Sequence, residues 1–279
     1  MTEIDDSPAG PRIAVIGGSG LYSLLEGSDV ETLDLPTPFG PTSSPIAIGD
    51  LAGTRVAFLA RHGDGHTLPP HRVPYRANLW ALARLGVRVV VTSSAVGSLS
   101  PDIAPGALVL PDQLIDRTWG RADTFFNGAD VQHLAFSDPY CDTLRALAVR
   151  ALERAGLPVV QGATTVVVQG PRFSTRAESR WYRASGAQLV NMTQYPEAAL
   201  AGELNLGLVN LSFVTDVDAG DREDEAVDPA IVLRRMSEAG PRLRAAIEAI
   251  VAAIPGDYAA RPRIPQDAVR RVLATGVLH

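Results

Sequence analysis

Short runs of β-branched and other apolar residues alternate with longer amphipathic segments along most of the chain. Strands that are buried on both faces carry apolar residues at nearly every position, so this alternation predicts an α/β fold around one largely parallel central sheet. The predicted strands are the segments IAVI, RVAFLA, VRVVVTS, ALVLP, ATTVVVQ, AQLVNM and LGLVNLSFVTD, which begin at residues 13, 55, 87, 107, 163, 187 and 206.

Four segments between these strands have the spacing and the end signals of helices. Thr175 and Glu178 have the spacing of a capping box, and Gly86 and Gly156 stand where C-terminal glycines end a helix. The predicted helices are VPYRANLWALARLG, YCDTLRALAVRALERAG, STRAESRWYR and PEAALAGELNLG, at residues 73–86, 140–156, 174–183 and 196–207.

No internal repeat, low-complexity tract or linker divides the chain. We therefore expect a disordered N-terminal tail over residues 1–10 and one domain over residues 11–279. The acidic stretch 219–229 is expected to be a solvated mobile loop, and its place directly after a strand leaves the role of a lid open.

The balance of charge and the use of cysteine exclude several classes of protein. With 25 basic and 31 acidic residues the formal net charge is −6, which argues against a nucleic acid or an anionic membrane as partner. Cys141 is the single cysteine, so no intrachain disulfide can form. The chain starts without the features of a secretory signal, and no apolar run approaches the roughly 20 residues that span a bilayer. We expect a soluble cytoplasmic protein.

A glycine-rich turn follows the first strand, in the stretch IAVIGGSGLY at residues 13–22. Such a turn can present backbone N–H groups to an anion. Its spacing is neither that of the dinucleotide fingerprint GxGxxG nor that of a P-loop, and a Rossmann dehydrogenase is therefore disfavoured. On its own, the turn leaves open whether it touches a ligand.

Polar residues follow five of the predicted strands where each strand ends. Ligands of open parallel sheets bind outside the carboxyl ends of the strands, so these five ends are expected to meet at one pocket. Hydroxyl, guanidinium and imidazole groups suit an oxyanion such as inorganic phosphate. The candidates for this anion site are Ser19, Arg61, His62, Ser94 and Thr193.

The fifth strand end carries two carboxylates, Asp216 and Asp218, two positions apart. On an extended strand they would face the same side, about 6 to 7 Å apart. Proximity and burial would both raise their pKa values, so either one could hold a proton near neutral pH and act as a general acid. A turn or cap pair and a metal site are the alternatives that the residues leave open.

Three histidines, His62, His66 and His71, stand close together in the stretch RHGDGHTLPPH. Their gaps of four and five residues would suit zinc on a regular helix, but the glycines and prolines among them predict a loop. We therefore expect a loop that faces the substrate and no metal.

Eight motifs, in order, resemble those of the trimeric purine nucleoside phosphorylases, and among these the S-methyl-5'-thioadenosine phosphorylases. The motifs are IGGSGLY, TPFGPTSSP, LARHGDGH, HRVPYRANLWAL, SAVGSL, GPRFSTRAES, NMTQYPEAALAGE and TDVD, which together cover about residues 12–218. The resemblance implies a single α/β domain whose mixed, largely parallel sheet partly closes into a distorted barrel and is flanked by helices. It also implies a homotrimer with shared active sites.

The resemblance implies roles for particular residues. It places inorganic phosphate among the same five residues that the strand ends supply. Asp216 would share or donate a proton at N7 of the purine, Asp218 would accept from an exocyclic 6-amino group, and His133 would reach the 5' substituent from a neighbouring subunit. The nucleoside would further contact Ala95, Phe173, Ser174, Met192, Thr215 and Val232.

The implied activity is that of a pentosyltransferase, which splits the N-glycosidic bond of 5'-modified adenosines with phosphate as cosubstrate and without a cofactor. Methylthioadenosine, giving adenine and 5-methylthioribose 1-phosphate for purine and methionine salvage, is the expected substrate. Pro229, where relatives wall the 5' pocket with an aliphatic residue, and the segment 256–279 depart from the family pattern. Other substrates therefore stay open, namely 5'-halo-5'-deoxyadenosine, adenosine and 6-oxopurine nucleosides. A hydrolytic nucleosidase and a noncatalytic nucleoside-binding protein are the remaining alternatives.

Overall fold

Strands and helices alternate along the part of the chain that the computed structural model describes, which comprises residues 10–18, 21, 24–25, 29–219 and 227–275. The strands are β1 (Ile13–Gly17), β2 (Glu31–Leu33), β3 (Ile46–Leu51), β4 (Thr54–Ala60), β5 (Val89–Ser98), β6 (Leu108–Leu110), β7 (Gln113–Arg117), β8 (Val159–Gln161), β9 (Thr164–Val168), β10 (Leu189–Asn191) and β11 (Gly207–Asp216). The helices are α1 (Tyr75–Arg84), α2 (Asp142–Arg154), α3 (Arg176–Ala184), α4 (Gln194–Glu203), α5 (Pro229–Ala253) and α6 (Gln266–Ala274), and a short 3-10 helix spans Pro70–Arg72.

All seven predicted strands and all four predicted helices are present. Thr175 caps α3 as predicted, because its side chain accepts from the backbone N–H of Glu178 and the Glu178 side chain accepts from the N–H of Thr175. The apolar pattern does not predict β2, β3, β7, β8, α5 or α6. Of these, β2, β7 and β8 are short and partly exposed, and Gly240 and Pro241 interrupt the helical pattern of α5.

The sheet branches at β5. One edge of β5 pairs in parallel with β11 along most of its length. The other edge pairs in parallel with β1 from Val89 to Thr92 and then antiparallel with β10 at Gly97 and Ser98. The main path runs β2-β3-β4-β1-β5-β10-β9-β7, and β11, β6 and β8 extend from the other edge of β5.

The branch leaves the sheet open. Among the described residues, β7 and β8 end two arms of the sheet and do not pair with each other. The single α/β domain and the mixed sheet with helices on both sides are confirmed. The partly closed barrel is wrong, because β5 divides its second edge between β1 and β10 and so directs the strands into separate arms.

Both faces of the central strands of the sheet are buried. Ala14 and Ile16 of β1 belong to an apolar cluster that α1, α4 and α6 cover, whereas Ile13 and Val15 belong to a second cluster that α2 and α5 cover. This burial on two sides is the reason that the strands read as continuous apolar runs. Among the helices in the described ranges, none is long and apolar enough to cross a membrane.

The C-terminal segment that departs from the family pattern contributes to the core. Helix α6 packs on α1, where the indole Nε1 of Trp80 donates to the carbonyl oxygen of Val272 at 2.9 Å. Ala268 and Val269 are buried in the same cluster. The described part of the segment therefore contributes to the stability of the fold.

We predict that Val269→Ala lowers the free energy of unfolding by about 2 kcal/mol, because two buried methyl groups are lost and a cavity remains. Val269 is 2 % exposed, whereas Val131 is 62 % exposed. Val131→Ala is the matched control and should change this free energy by less than about 0.5 kcal/mol. Urea denaturation followed by circular dichroism measures both variants. Equal effects of the two substitutions would contradict the placement of α6 in the core.

Candidate active site

An opening in the sheet lies beside β5, between the end of β1 and the start of β10. Strand β1 pairs with β5 only as far as Thr92, and β10 begins to pair only near the end of β5. Two side chains bond to β5 in this gap. Arg61 Nη1 donates to the backbone oxygen of Ser93 at 2.8 Å, and Asn191 Nδ2 donates to that of Ala95 at 3.0 Å. A cavity occupies the opening.

The cavity gathers nearly all of the described residues that the sequence predicts for the site. It is lined by Arg61, His62, Ser94 and Thr193 of the predicted phosphate set, and by Ala95, Phe173, Ser174, Met192, Thr215, Asp216, Asp218 and Val232 of the predicted nucleoside set. Two predicted residues are not among them. Ser19 lies outside the described residues, and His133 is exposed and does not line the cavity of its own chain.

Other residues line the cavity without having been predicted as ligands. His66 and Pro70 come from the loop after β4, which faces the cavity as the sequence predicts. The lining residues that were not predicted as ligands are Gly18, His66, Pro70, Val96, Gly97, Val168, Val190 and Asn191. Behind the lining, Glu197, Ser179 and Asn210 bond to predicted residues, and the sequence analysis missed all three.

Arg61 is buried and bound by a carboxylate. Its Nε donates to Oε1 of Glu197 and its Nη2 to Oε2, both at 2.8 Å, and the two side chains are almost completely buried. A bidentate pair of this kind satisfies two charges that would be costly to bury separately. Glu197 therefore fixes the plane of the guanidinium and offsets its charge, so the anion site is less positive than the sequence indicates.

His62 is buried and neutral. Its Nδ1 lies 2.8 Å from the carbonyl oxygen of Leu68, which requires a proton on Nδ1, and its ring stacks on His66 with centroids 4.5 Å apart. Burial and the neighbouring Arg61 lower the pKa of His62 from 6.5 to about 4. Nε2 is therefore unprotonated at neutral pH, so it can accept a hydrogen bond or take up a proton when an anion binds.

Thr193 stands at the N-terminus of α4. The backbone N–H groups of Thr193 and Gln194 donate to Oδ1 of Asn191 at 2.7 and 2.8 Å. Helix α4 is assigned over Gln194–Glu203, but Tyr195 has an extended backbone, so the continuous helix starts at Pro196, as the sequence predicts. Asn191 thus satisfies two backbone N–H groups just before this helix end, and the dipole of the helix favours negative charge there.

The chain turns where β11 ends at Asp216. Oδ1 of Asp216 accepts from the backbone N–H of Asp218 at 2.8 Å, and Asp218 has a φ of 52°, in the left-handed region. Of the two arrangements that the sequence left open, a shared face of an extended strand and a turn pair, the structure shows the turn. The turn forms because a short aspartate side chain captures the amide two residues further on. Both carboxyl groups nevertheless line the cavity.

Asp216 is surrounded by groups that suit either of its protonation states. Burial raises the pKa of its carboxyl. Thr215 Oγ1 lies 2.7 Å from Oδ2 of Asp216 and 3.2 Å from the carbonyl oxygen of Val96. The hydroxyl can donate to the carboxylate, or it can donate to Val96 and accept from the carboxylic acid.

Asp218 is held in place by α3. The hydroxyl of Ser179 donates to its Oδ2, and burial raises the pKa of the Asp218 carboxyl. Ser174 lies close enough to oppose this rise, yet its buried Oγ makes no hydrogen bond of standard geometry within the described residues. Ser174 lines the cavity beside Asp218.

Gly97 allows the end of β11 to approach β5 closely. A Cβ atom at this position would lie 2.8 Å from Oδ1 of Asp216 and 2.9 Å from Cγ1 of Val190. Any larger residue would displace the carboxylate or β10, so glycine is required here by packing.

Helix α5 closes one side of the cavity. Val232, in its first turn, lines the cavity, whereas Pro229 is exposed and does not. The departure from the family pattern at Pro229 therefore lies outside the cavity. Residues 220–226 of the predicted acidic loop lie outside the described residues.

The three histidines do not form a metal site. His71 lies in the short 3-10 helix and does not line the cavity that His62 and His66 share. Over the described ranges, no group of three or more His, Cys, Asp or Glu side chains could hold a metal ion.

Comparison with known proteins identifies the family. The family described as the phosphorylase superfamily matches residues 12–252. The chain belongs to this superfamily. It is 57 % identical over 209 residues to S-methyl-5'-thioadenosine phosphorylase of Mycolicibacterium smegmatis. The aligned region covers 75 % of this chain and 78 % of that protein. It is 50 % identical over 252 residues to purine nucleoside phosphorylase of Streptomyces coelicolor, which covers 88 % and 89 % of the two chains.

A solved structure supports the same assignment. Methylthioadenosine phosphorylase from Schistosoma mansoni, in complex with adenine, matches with a TM-score of 0.84 and 32 % identity, over 94 % of this chain and 96 % of that one. The resemblance drawn from the sequence motifs is therefore confirmed. So is the enzyme class of this phosphorylase, which is that of the pentosyltransferases.

We predict that His62 makes this phosphorylase less stable as the pH falls from 6.5 toward about 4. In that window the unfolded chain binds a proton that the buried imidazole does not, so the free energy of unfolding rises with pH and is lost on acidification. The loss is up to about 3 kcal/mol, at 1.4 kcal/mol for each unit of pKa.

His62→Gln keeps a side-chain donor, and its free energy of unfolding should fall less on acidification. Urea titrations of both proteins across this pH window give the comparison. Asp216 and Asp218, whose raised pKa values change stability in the opposite direction, are common to both proteins and cancel in the difference. Parallel pH profiles would contradict a buried, neutral imidazole.

Proposed function

We propose that the protein catalyses the phosphorolysis of S-methyl-5'-thioadenosine to adenine and 5-methylthioribose 1-phosphate, a step of purine and methionine salvage. The observation that carries the proposal is one cavity that combines hydroxyl and imidazole groups beside a helix N-terminus with two buried carboxyl groups. The names of the relatives from Mycolicibacterium smegmatis and Schistosoma mansoni support the same reaction.

The phosphate side of the cavity stabilises the positive charge that develops on the ribosyl ring during the reaction. Breaking the bond between C1' and N9 develops positive charge on the ribosyl ring and negative charge on the departing base. A phosphate dianion beneath C1' stabilises the first charge and attacks the carbon, which gives a ribose 1-phosphate. We assign the phosphate to Ser19, Arg61, His62, Ser94 and Thr193, with Met192 against the ribose.

The carboxyl groups of Asp216 and Asp218 contact the purine base. Because burial raises the pKa of Asp216, its carboxyl can hold a proton and share it with N7 of the purine as the base departs. Once this proton has moved to N7, the hydroxyl of Thr215 donates to the resulting carboxylate. Asp218 accepts from the 6-amino group, and the remaining contacts to the purine come from Ala95, Phe173 and Ser174.

We propose that the 5' substituent lies near the boundary between subunits. Val232 and Pro70 give the cavity an apolar wall that suits a thioether. We propose a homotrimer in which His133 extends to the 5' group of a neighbouring subunit, and the exposure of His133 on its own chain is consistent with this role. The proposed enzyme acts in the cytoplasm and needs no cofactor beyond the cosubstrate phosphate.

A 6-oxopurine nucleoside phosphorylase is the second candidate. It is favoured by the Streptomyces coelicolor relative, which is named a purine nucleoside phosphorylase. Asp218 argues against it, because the hydroxyl of Ser179 donates to its carboxylate form, which accepts from a 6-amino group and offers nothing to a carbonyl. A hydrolytic nucleosidase would not require the phosphate set.

Adenine release from methylthioadenosine, followed by chromatography with and without inorganic phosphate, tests the proposed function. We expect release only with phosphate, and faster release than from 5'-fluoro-5'-deoxyadenosine, adenosine or inosine. Faster turnover of a nucleoside with another 5' group would leave the proposed mechanism intact and change the assigned substrate. Release without phosphate would contradict the phosphate site, and the absence of release from every nucleoside would leave a binding protein.

We predict that Asp218→Asn lowers kcat/KM for the 6-amino nucleoside by about 10-fold or more and raises that for inosine, since an amide can donate to a 6-oxo group. Asp216→Asn is the matched control, because it makes the same chemical change two residues away. It should slow both nucleosides alike, as both need a proton at N7. An unchanged preference of Asp218→Asn for the 6-amino base would refute the role of Asp218.

A further inference from the structure

A network of buried polar side chains lies behind Ser94, and the mechanism above does not use it. Its members come from β5, β11, α4 and the segment before α2. They are Thr92, Tyr140, Gln194, Asn210 and Ser212, and each is 2 % exposed or less. Polar groups buried this deeply would be destabilising unless their hydrogen bonds were satisfied.

Asn210 is the centre of the network. Its Nδ2 donates to Ser94 Oγ at 3.0 Å and to Thr92 Oγ1 at 2.8 Å. Its Oδ1 accepts from Ser212 Oγ at 2.7 Å and from Gln194 Nε2 at 3.2 Å. Both amide protons and the amide oxygen are used, so the orientation of this side chain is fixed.

Gln194 and Tyr140 support that orientation from the far side. The phenolic hydroxyl of Tyr140 donates to Oε1 of Gln194, which turns the amide nitrogen toward Asn210 and Ser212. The hydrogen bonds therefore run in one direction, from Tyr140 through Gln194 and Asn210 to Ser94. Each bond in such a chain polarises the next and strengthens it.

The direction of these hydrogen bonds determines whether Ser94 presents a donor or an acceptor to the cavity. Ser94 Oγ accepts from Asn210, so its own proton points away from Asn210. Ser94 lines the cavity, whereas Asn210 does not. A hydroxyl held as a donor suits an anion, because a hydroxyl that rotates freely also presents lone pairs to it.

We propose that Asn210 is a positioning residue that makes Ser94 a fixed hydrogen-bond donor toward phosphate. The inference rests on the proposed phosphorolysis and names a residue that acts on that reaction without touching the substrate. The parallel register of β5 and β11, which sets Asn210 beside Thr92 and Ser212 beside Ser94, holds the groups together.

The test is a double-mutant cycle on the phosphate KM. Asn210→Leu removes the donor at similar volume and adds no charge. We expect it to raise KM for phosphate about 10-fold, the effect of losing one hydrogen bond to an anion, and to change KM for the nucleoside by less than about 2-fold. In a Ser94→Ala background the same change should alter the phosphate KM by less than about 2-fold, because the hydroxyl through which Asn210 acts is absent.

Asn78→Leu is the matched control. Asn78 is also completely buried, bonds to Ser43 Oγ at 3.0 Å, and does not line the cavity. It should have a comparable effect on stability and leave the phosphate KM unchanged. Asn210→Asp serves if the leucine variant does not fold, since a carboxylate can accept from all four neighbours of Asn210 while turning the proton of Ser94 away from the cavity. Its phosphate KM should also rise, and the rise should shrink with Ser94→Ala.

Two results would overturn the inference. One is an unchanged phosphate KM in a folded Asn210 variant, and the other is a rise of the same size with and without the hydroxyl of Ser94. Both leave the proposed function intact as long as the unsubstituted protein releases adenine only with phosphate. Release without phosphate in the unsubstituted protein would instead overturn the proposed function.

Discussion

A strand in the middle of a sheet has to satisfy the hydrogen-bonding groups of both its edges, and β5 does this with three different strands. Where β1 has stopped and β10 has not begun, the backbone oxygens of Ser93 and Ala95 accept from the side chains of Arg61 and Asn191. Because buried backbone groups must be paired, this gap draws polar side chains to one place. The opening in the sheet and the polar lining of the cavity thus have one cause.

Burial also acts on the charged groups of the site. Glu197 offsets the guanidinium of Arg61, burial keeps His62 neutral, and burial raises the pKa values of Asp216 and Asp218. Unpaired charges would be strongly destabilising in such a place. The cavity instead offers oriented dipoles and groups that can change their protonation state. Phosphorolysis moves negative charge from phosphate to the base, so groups of this kind can stabilise charge at both ends of the reaction.

Sequence analysis predicted the site residues that follow a predicted strand, including Ser94, which the structure places inside β5, and missed others that lie within apolar segments. Arg61 and His62 directly follow β4, so the rule for strand ends finds them. Glu197 and Asn210 sit within an apolar helix and an apolar strand. A polar residue between apolar neighbours in a buried segment was the available signal for both. The turn at Asp218 was left open because an aspartate after a strand can extend it or capture the next amide. The branch at β5 depends on long-range pairing, which no local pattern encodes.

The central claim is that the opening beside β5 holds phosphate next to the base. A crystal structure of the protein with bound phosphate and adenine tests this claim most directly. The account predicts phosphate within hydrogen-bond distance of Ser94 Oγ and His62 Nε2, at the N-terminus of α4, with adenine beside Asp216 and Asp218. Phosphate bound only among surface arginines, with adenine present and the opening beside β5 free of anion, would contradict it.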